Sequence, residues 1–223
     1  MRTAASALIV LGVLVLAWTF FVWRWNDPFT SLYTRWEQHK LAAQYEALDA
    51  RYRGHRVPAR SSPAEAAREV LGDASRFRAE AAQGTAIGRI IVPRLGLNMV
   101  LVNGTDTATL KKGPGLDPRT YMPGEGELIY IAGHRTTYLA PFARIDALEP
   151  GDRMTLRMPY GTFDYSVTRH RIMESHNLSV LRSHHREEVA LQACHPRFFA
   201  THRYIVWAAP IRVTLRGGRS YPP

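Results

Sequence analysis

The sequence predicts a mainly β domain, closed or sandwiched, held behind an N-terminal transmembrane helix and a helical stalk. Three observations predict it. Residues 3–23, TAASALIVLGVLVLAWTFFVW, run without a charge. Residues 25–83 carry two helix signatures separated by a glycine-, proline- and arginine-rich stretch. From Ala86 onward, short β-prone runs alternate with turns. With 223 residues, 46% of them hydrophobic, the chain can bury a full core in one or two domains.

At about 1.5 Å per residue the first run is long enough for a hydrocarbon layer of about 30 Å. A cleaved signal peptide competes with this reading, but its apolar stretch is usually about 7–15 residues and ends in small side chains. Here the run ends in Trp18, Phe20, Phe21, Trp23 and Trp25, aromatics suited to the membrane–water interface. Residues 1–24 are therefore read as an anchor. Charge does not orient it, because Arg2 lies on one side and Arg24 and Arg35 on the other.

Asp27-Pro28 offers a helix start, and Tyr33, Trp36, Leu41, Tyr45, Leu48 and Tyr52 recur at mostly helical spacing. RYRGHRVPARSSP, residues 51–63, breaks that pattern and reads as a linker. Ser62 as N-cap, Pro63 as first helical residue and Glu65 completing a capping box open a second helix that should stop near Gly84. Residues 25–83 thus read as a stalk whose simplest role is distance from the membrane. The runs IGRIIV, NMVLV, ELIYIAG, RMTLRM, FDYSVTRH, EVALQAC and YIVWAAPIRVTL follow, with PFARIDAL (141–148) as a short helical connection. They define a β domain over 84–217, and residues 218–223 form a tail.

The net charge of +10 suits an anionic surface or polymer. Nucleic acid is a poor match, because the arginines are scattered singly and no basic run or nucleic-acid-binding motif occurs. No metal is expected: Cys194-His195 with His184-His185 matches no tetrahedral spacing, and no acidic cluster completes one.

Cys194 is the single cysteine, placed in LQACHPRFFATHRYIV at the end of an apolar run. His134 ends ELIYIAGH, and Arg203 begins RYIVWA nine positions after the cysteine. Three such groups at strand ends could perform acyl transfer: a thiolate attacks a carbonyl, an imidazolium protonates the leaving amine, and a guanidinium steadies the oxyanion. Each also has a plain reading, as a buried thiol, a core histidine and a surface arginine, and the features alone leave both open. His195 adjoins the cysteine but, as a strand neighbour, should point to the opposite face. His134 is therefore the candidate acid and base.

The segments NGTDTATLKKGPG (103–115), PGEGELIYIAGHRTTYLAPFARIDALEPGD (123–152), PYGTFDY (159–165) and ACHPRFFATHRYIVWA (193–208) resemble the sortases, membrane-anchored cysteine transpeptidases of Gram-positive bacteria, and class E most of all. The resemblance covers residues 84–216. It implies an eight-stranded barrel with His134, Cys194 and Arg203 as catalytic trio, an extracytoplasmic catalytic domain, and no cofactor. The implied reaction cleaves a C-terminal sorting signal of secreted proteins between threonine and glycine, with Leu-Ala-x-Thr-Gly favoured over Leu-Pro-x-Thr-Gly. A thioester forms and passes to an amine of peptidoglycan precursor or to water. The family strand usually reads Thr-Leu-x-Thr-Cys, whereas here Ala190 and Ala193 replace both hydroxyls. Asp27-Pro28-Phe29 resembles the lid tripeptide of pilin-polymerising sortases, but a helix start suits it better. Three functions remain in view: a housekeeping wall-anchoring enzyme, a pilin polymerase using a lysine acceptor, and a catalytically silent, membrane-tethered binding domain. The turn-rich stretch Gly113–Gly126 is placed to wall the pocket.

Overall fold

The computed structural model of the chain describes residues 2–25, 28–52, 54, 62–218 and 220–222. Asp27 and most of the expected linker lie outside the described residues. Three helices come first: α1 (Arg2–Trp25), α2 (Pro28–Arg51) and α3 (Pro63–Glu80). The strands are β1 (Ala86–Val92), β2 (Leu97–Asn103), β3 (Gly115–Leu116), β4 (Leu128–Ala132), β5 (Arg153–Met158), β6 (Gly161–Glu174), β7 (Glu188–His195), β8 (His202–Leu215) and β9 (Ser220–Tyr221), with a one-turn helix α4 (Thr107–Leu110) between β2 and β3. PFARIDAL forms turns and a 3-10 helix, Ile145–Ala147.

The strands run in the order β6-β5-β1-β2-β3-β4-β7-β8, and β8 returns to pair with β6, so eight strands close a barrel; β9 is an extra rung on β8. Closure rests on the two longest strands, paired from Gly161 opposite Leu215 to Glu174 opposite His202. A closed ring leaves no free edge along that seam for another chain to extend. Period-two alternation sends Met154, Leu156 and Met158 of β5 inward while Arg153 and Arg157 stay exposed. β4 departs from alternation. All five of its residues are buried, because Ile129 and Ile131 enter the barrel core while Leu128, Tyr130 and Ala132 join Ala190, Ile205 and Trp207 in a second, outer cluster. Val180 and Leu181, between β6 and β7, pack against that cluster.

α3 opens with the expected capping box: Ser62 accepts from the Glu65 amide, and Glu65 accepts from the Ser62 amide. Its Ala66, Val70, Ala74 and Phe77 complete the main core. α2 begins at Pro28 and lies on the barrel wall. Leu41 is buried with Ala86, Val100 and Val102. Gln38 pairs with Val100 in both directions, accepting from its amide at 2.7 Å and donating to its carbonyl at 3.1 Å. Arg216, just past β8, grips the Asp49 carboxylate at 2.6 and 2.8 Å. The expected stalk is thus part of the globule along α2 and α3. Within α1, Thr3–Phe20 is apolar and long enough to cross a membrane, and none of it is buried.

Candidate active site

β4 and β7 run parallel, with Ala132 opposite Gln192, and the Gly133 amide donates to the Gln192 carbonyl at 3.0 Å. Two more residues along the same register bring His134 beside Cys194. Gly133 is needed there: a Cβ would sit 2.7 Å from the Phe142 ring, so any side chain would push the histidine segment off the sheet. On the other flank, the antiparallel β7–β8 pairing sets Cys194 directly opposite Arg203. Parallel pairing on one side and antiparallel on the other therefore gather at one barrel end three residues far apart in sequence. His134, Cys194 and Arg203 line one cleft of ≈ 280 Å³, with Tyr130, Asp117 and Arg119 also in its walls.

The three groups are unequally bonded. The His134 Nε2 is buried without a hydrogen-bond partner among the described residues, while the ring lies 5.0 Å from Tyr138. Burial, helped by the positive charge of Lys111, holds its pKa below the ordinary imidazole value, so the resting ring is neutral at pH 7. Arg203 spends one terminal nitrogen, Nη1, on the carbonyls of Ala200 at 2.7 Å and His202 at 3.0 Å. Those bonds fix the guanidinium plane while its other donors carry no protein partner among the described residues. Cys194 is a half-buried free thiol.

His195 lies on the far face, as strand alternation requires. There its Nδ1 is 3.0 Å from Arg135 Nη1, which also donates to the Cys194 carbonyl at 3.3 Å. Arg135 is buried, lies over the Tyr204 ring, and binds Asp146 at 2.8 Å. The sequence reading missed Arg135. Its available signal was position: a residue one after His134 on a strand end falls behind the cysteine if His134 lies in front. It also assigned no contacts to Gly113–Gly126, which supplies Asp117 and Arg119 to the cleft. Burial alone would raise the Asp117 carboxyl, yet bonds from the Arg119 side chain and amide and from Thr105 hold it below its ordinary value. Ala190 and Ala193 are fully buried, Ala190 in the outer cluster and Ala193 in the main core, so both family hydroxyls are replaced by packed methyl groups. Among the described residues no cluster suited to a metal ion occurs.

Comparison with known proteins agrees with this architecture. The Sortase domain family matches residues 90–211, more than half of the chain. Sortase D of Bacillus subtilis is 34% identical over 128 residues, covering 56% of this chain and 63% of that protein, so the match spans a little under two thirds of the relative's length. Among solved structures, the SrtA sortase of Actinomyces oris superposes with a TM-score of 0.57 at 28% identity, over 63% of this chain and 88% of that one. Sortase E1 of Streptomyces coelicolor, solved with a tripeptide in its active site, gives a TM-score of 0.56 at 26% identity over 61% of this chain and 95% of its own. The family match spans the strands that carry His134, Cys194 and Arg203, and the chain belongs to the sortase family.

Proposed function

We propose that the protein is a membrane-anchored cysteine transpeptidase of the class E type, which cleaves a sorting signal between threonine and glycine and transfers the new acyl end to a cell-wall amine. The single observation that carries this reading is the meeting of Cys194, His134 and Arg203 in one cleft, with Arg203 register-paired to the cysteine. Residues 1–24 serve as anchor, 25–83 as the connecting helices, 84–217 as the catalytic domain on the extracytoplasmic face, and 218–223 as the C-terminal tail.

The neutral imidazole takes the thiol proton as the peptide enters and excludes water. The thiolate adds to the threonine carbonyl, and the free donors of Arg203 meet the developing oxyanion. The imidazolium then gives its proton to the glycine nitrogen as the C–N bond breaks. A thioester on Cys194 remains. An incoming amine attacks it, loses its proton to His134 and releases the thiol. Neither a metal nor a cofactor is required by this cycle.

The class assignment rests on the sequence motifs and on the Streptomyces coelicolor structure, whose bound tripeptide marks a peptide site in that protein. The likeness to Sortase D of Bacillus subtilis keeps a neighbouring class as the second reading. Incubating the full chain in detergent with Leu-Ala-x-Thr-Gly and Leu-Pro-x-Thr-Gly peptides and an amine, followed by mass spectrometry, tests both levels. A thioester on Cys194 with preference for the alanine signal is expected. Preference for the proline signal would move the protein out of class E, and cleavage without any adduct on Cys194 would overturn the enzyme mechanism.

A further inference from the structure

From the placement of its exposed aromatic residues, we infer that the loop following the nucleophile, residues 196–201, docks into the lipid headgroup layer through Phe198 and Phe199, seating the cleft against the membrane surface. The proposal rests on reading α1 as a membrane span.

Phe198 and Phe199 are 66% and 78% exposed, two adjacent benzyl groups of which Phe198 has the Arg197 guanidinium 6.0 Å from its ring centre. Their outward direction is built in. Phe198 at φ 74° and Ala200 at φ 55° occupy the left-handed region that bulky residues avoid. The Pro196 carbonyl accepts from the amides of both Phe199 and Ala200, and Arg203 holds the Ala200 carbonyl. A tied loop in an unfavoured conformation that turns two large apolar groups to the outside suits a partner that takes them up.

Chain geometry names the partner. α1 ends at Trp25 and α2 starts at Pro28. Thr30 accepts a hydrogen bond from the Tyr138 amide at 3.0 Å, Tyr33 packs edge-on to Tyr138, and Tyr138 lies against His134. Thr30 comes five positions after Trp25, at most about 18 Å of chain at about 3.6 Å per step. The barrel end that carries the cleft is therefore the membrane end. The first turns of α2 add a second apolar surface, since Phe29, Leu32 and Trp36 share one helical face and stay exposed. Exposed Arg35 and Arg197 stand beside these two patches, placed to meet lipid phosphates. Aromatic groups flanked by arginine match an anionic bilayer interface better than a second folded protein.

The test uses the full chain in phosphatidylcholine–phosphatidylglycerol vesicles, with Cys194→Ser removing the native thiol and a nitroxide placed at Val10→Cys, Phe199→Cys or His184→Cys. His184 lies before β7, at the opposite barrel end. Collision with oxygen and with a water-soluble nickel chelate reports depth. The expected result is a deep Val10 label, an interfacial Phe199 label and a His184 label in water. A Phe199 label as wet as that at His184, with Val10 still deep, overturns the docking and leaves the anchor standing; a wet Val10 label overturns both. A functional arm uses Phe198→Ser/Phe199→Ser with Cys194 intact. Transfer to a soluble amine should be unchanged, while transfer to a lipid-borne amine should fall to about a tenth or less. Equal rates on the two acceptors relative to wild type would likewise defeat the proposal.

Discussion

The two faces of the β7 terminus each bury one side-chain nitrogen without a partner among the described residues, Arg135 Nε behind and His134 Nε2 in front, but they differ in what their other polar groups bind. Behind the strand, Arg135 ties the Cys194 carbonyl, His195 and Asp146 into one network under the Tyr204 ring. In front, His134 keeps a buried nitrogen without a partner among the described residues, and Arg203 donates to the backbone carbonyls of Ala200 and His202. The rear-face network of side chains fixes where the cysteine backbone lies, and the front face, tied to the protein through backbone carbonyls, leaves polar groups for a substrate. Buried polar atoms nearly always find partners, and of the two unsatisfied nitrogens it is the His134 Nε2 whose residue lines the cleft. Its position in the cleft makes it a group waiting for one.

If that division is right, substitutions in front should remove activity with little loss of stability. Cys194→Ala should abolish the thioester and lower turnover by at least about a thousandfold, with the melting temperature nearly unchanged. Persistent cleavage by the purified variant would end the case for a nucleophile. His134→Gln should lower kcat by about 10²–10⁴-fold. It carries a stability signature as well. Because the folded-state pKa lies below the ordinary value, the unfolded chain binds the proton first, and stability falls as pH drops below 7 through the ordinary imidazole range. The glutamine variant should flatten that acid-side slope in denaturation curves. An unaltered slope would show that the ring is not held neutral by burial.

Arg203→Lys keeps the charge but loses the planar fork, and should cost about a hundredfold in kcat/KM, the scale of one lost oxyanion donor. Arg197→Lys, in the exposed loop, should be nearly silent on a soluble peptide. Small and equal effects would make Arg203 an ordinary surface residue. The rear face should respond the other way. Arg135→Gln should destabilise the fold by about 2 kcal/mol and lower kcat about tenfold with KM unchanged, because the cysteine is misplaced rather than removed. Lost stability without lost kcat would reduce Arg135 to a structural role. The smallest effect belongs to Lys111→Gln. Removing a nearby positive charge lets the His134 pKa rise, so the limb of the rate profile set by that histidine should move to higher pH. A move to lower pH would contradict the electrostatic account.

The expectations that succeeded were those carried by side-chain pattern. Each β-prone run became a strand, and α3 starts where expected because Ser62 and Glu65 satisfy each other's amides while Pro63, lacking an N–H, leaves one donor fewer to satisfy. Short elements were invisible. β3 is two residues inside a stretch full of turn formers, and β9 is two residues beyond Gly218; both exist because a neighbouring strand offers ladder partners, which no local window contains. The trio was readable as residues, and its assembly was not. Bringing His134 to Cys194 needs the parallel β4–β7 register, a pairing between strands with β5 and β6 between them in sequence. The docking of α2 was hidden for another reason. Its ties run through Thr34, Gln38 and Asp49, polar residues that in sequence look like any solvated helix face.

That docking governs how the protein can be shortened. The Arg216 guanidinium clasps Asp49 across 167 positions of the chain, and Leu41 closes over Val100 and Val102 on the barrel wall. Cutting at the start of the β domain would strip this cover, leave Arg216 half-buried without its counter-ion, and bare an apolar strip to water. A secreted fragment meant for enzymology should therefore start at Pro28, retaining α2 and losing only the membrane segment. Preparations that begin later would be expected to clump through the uncovered β1–β2 wall, and their weak activity would be a symptom of the missing helix rather than of the catalytic groups.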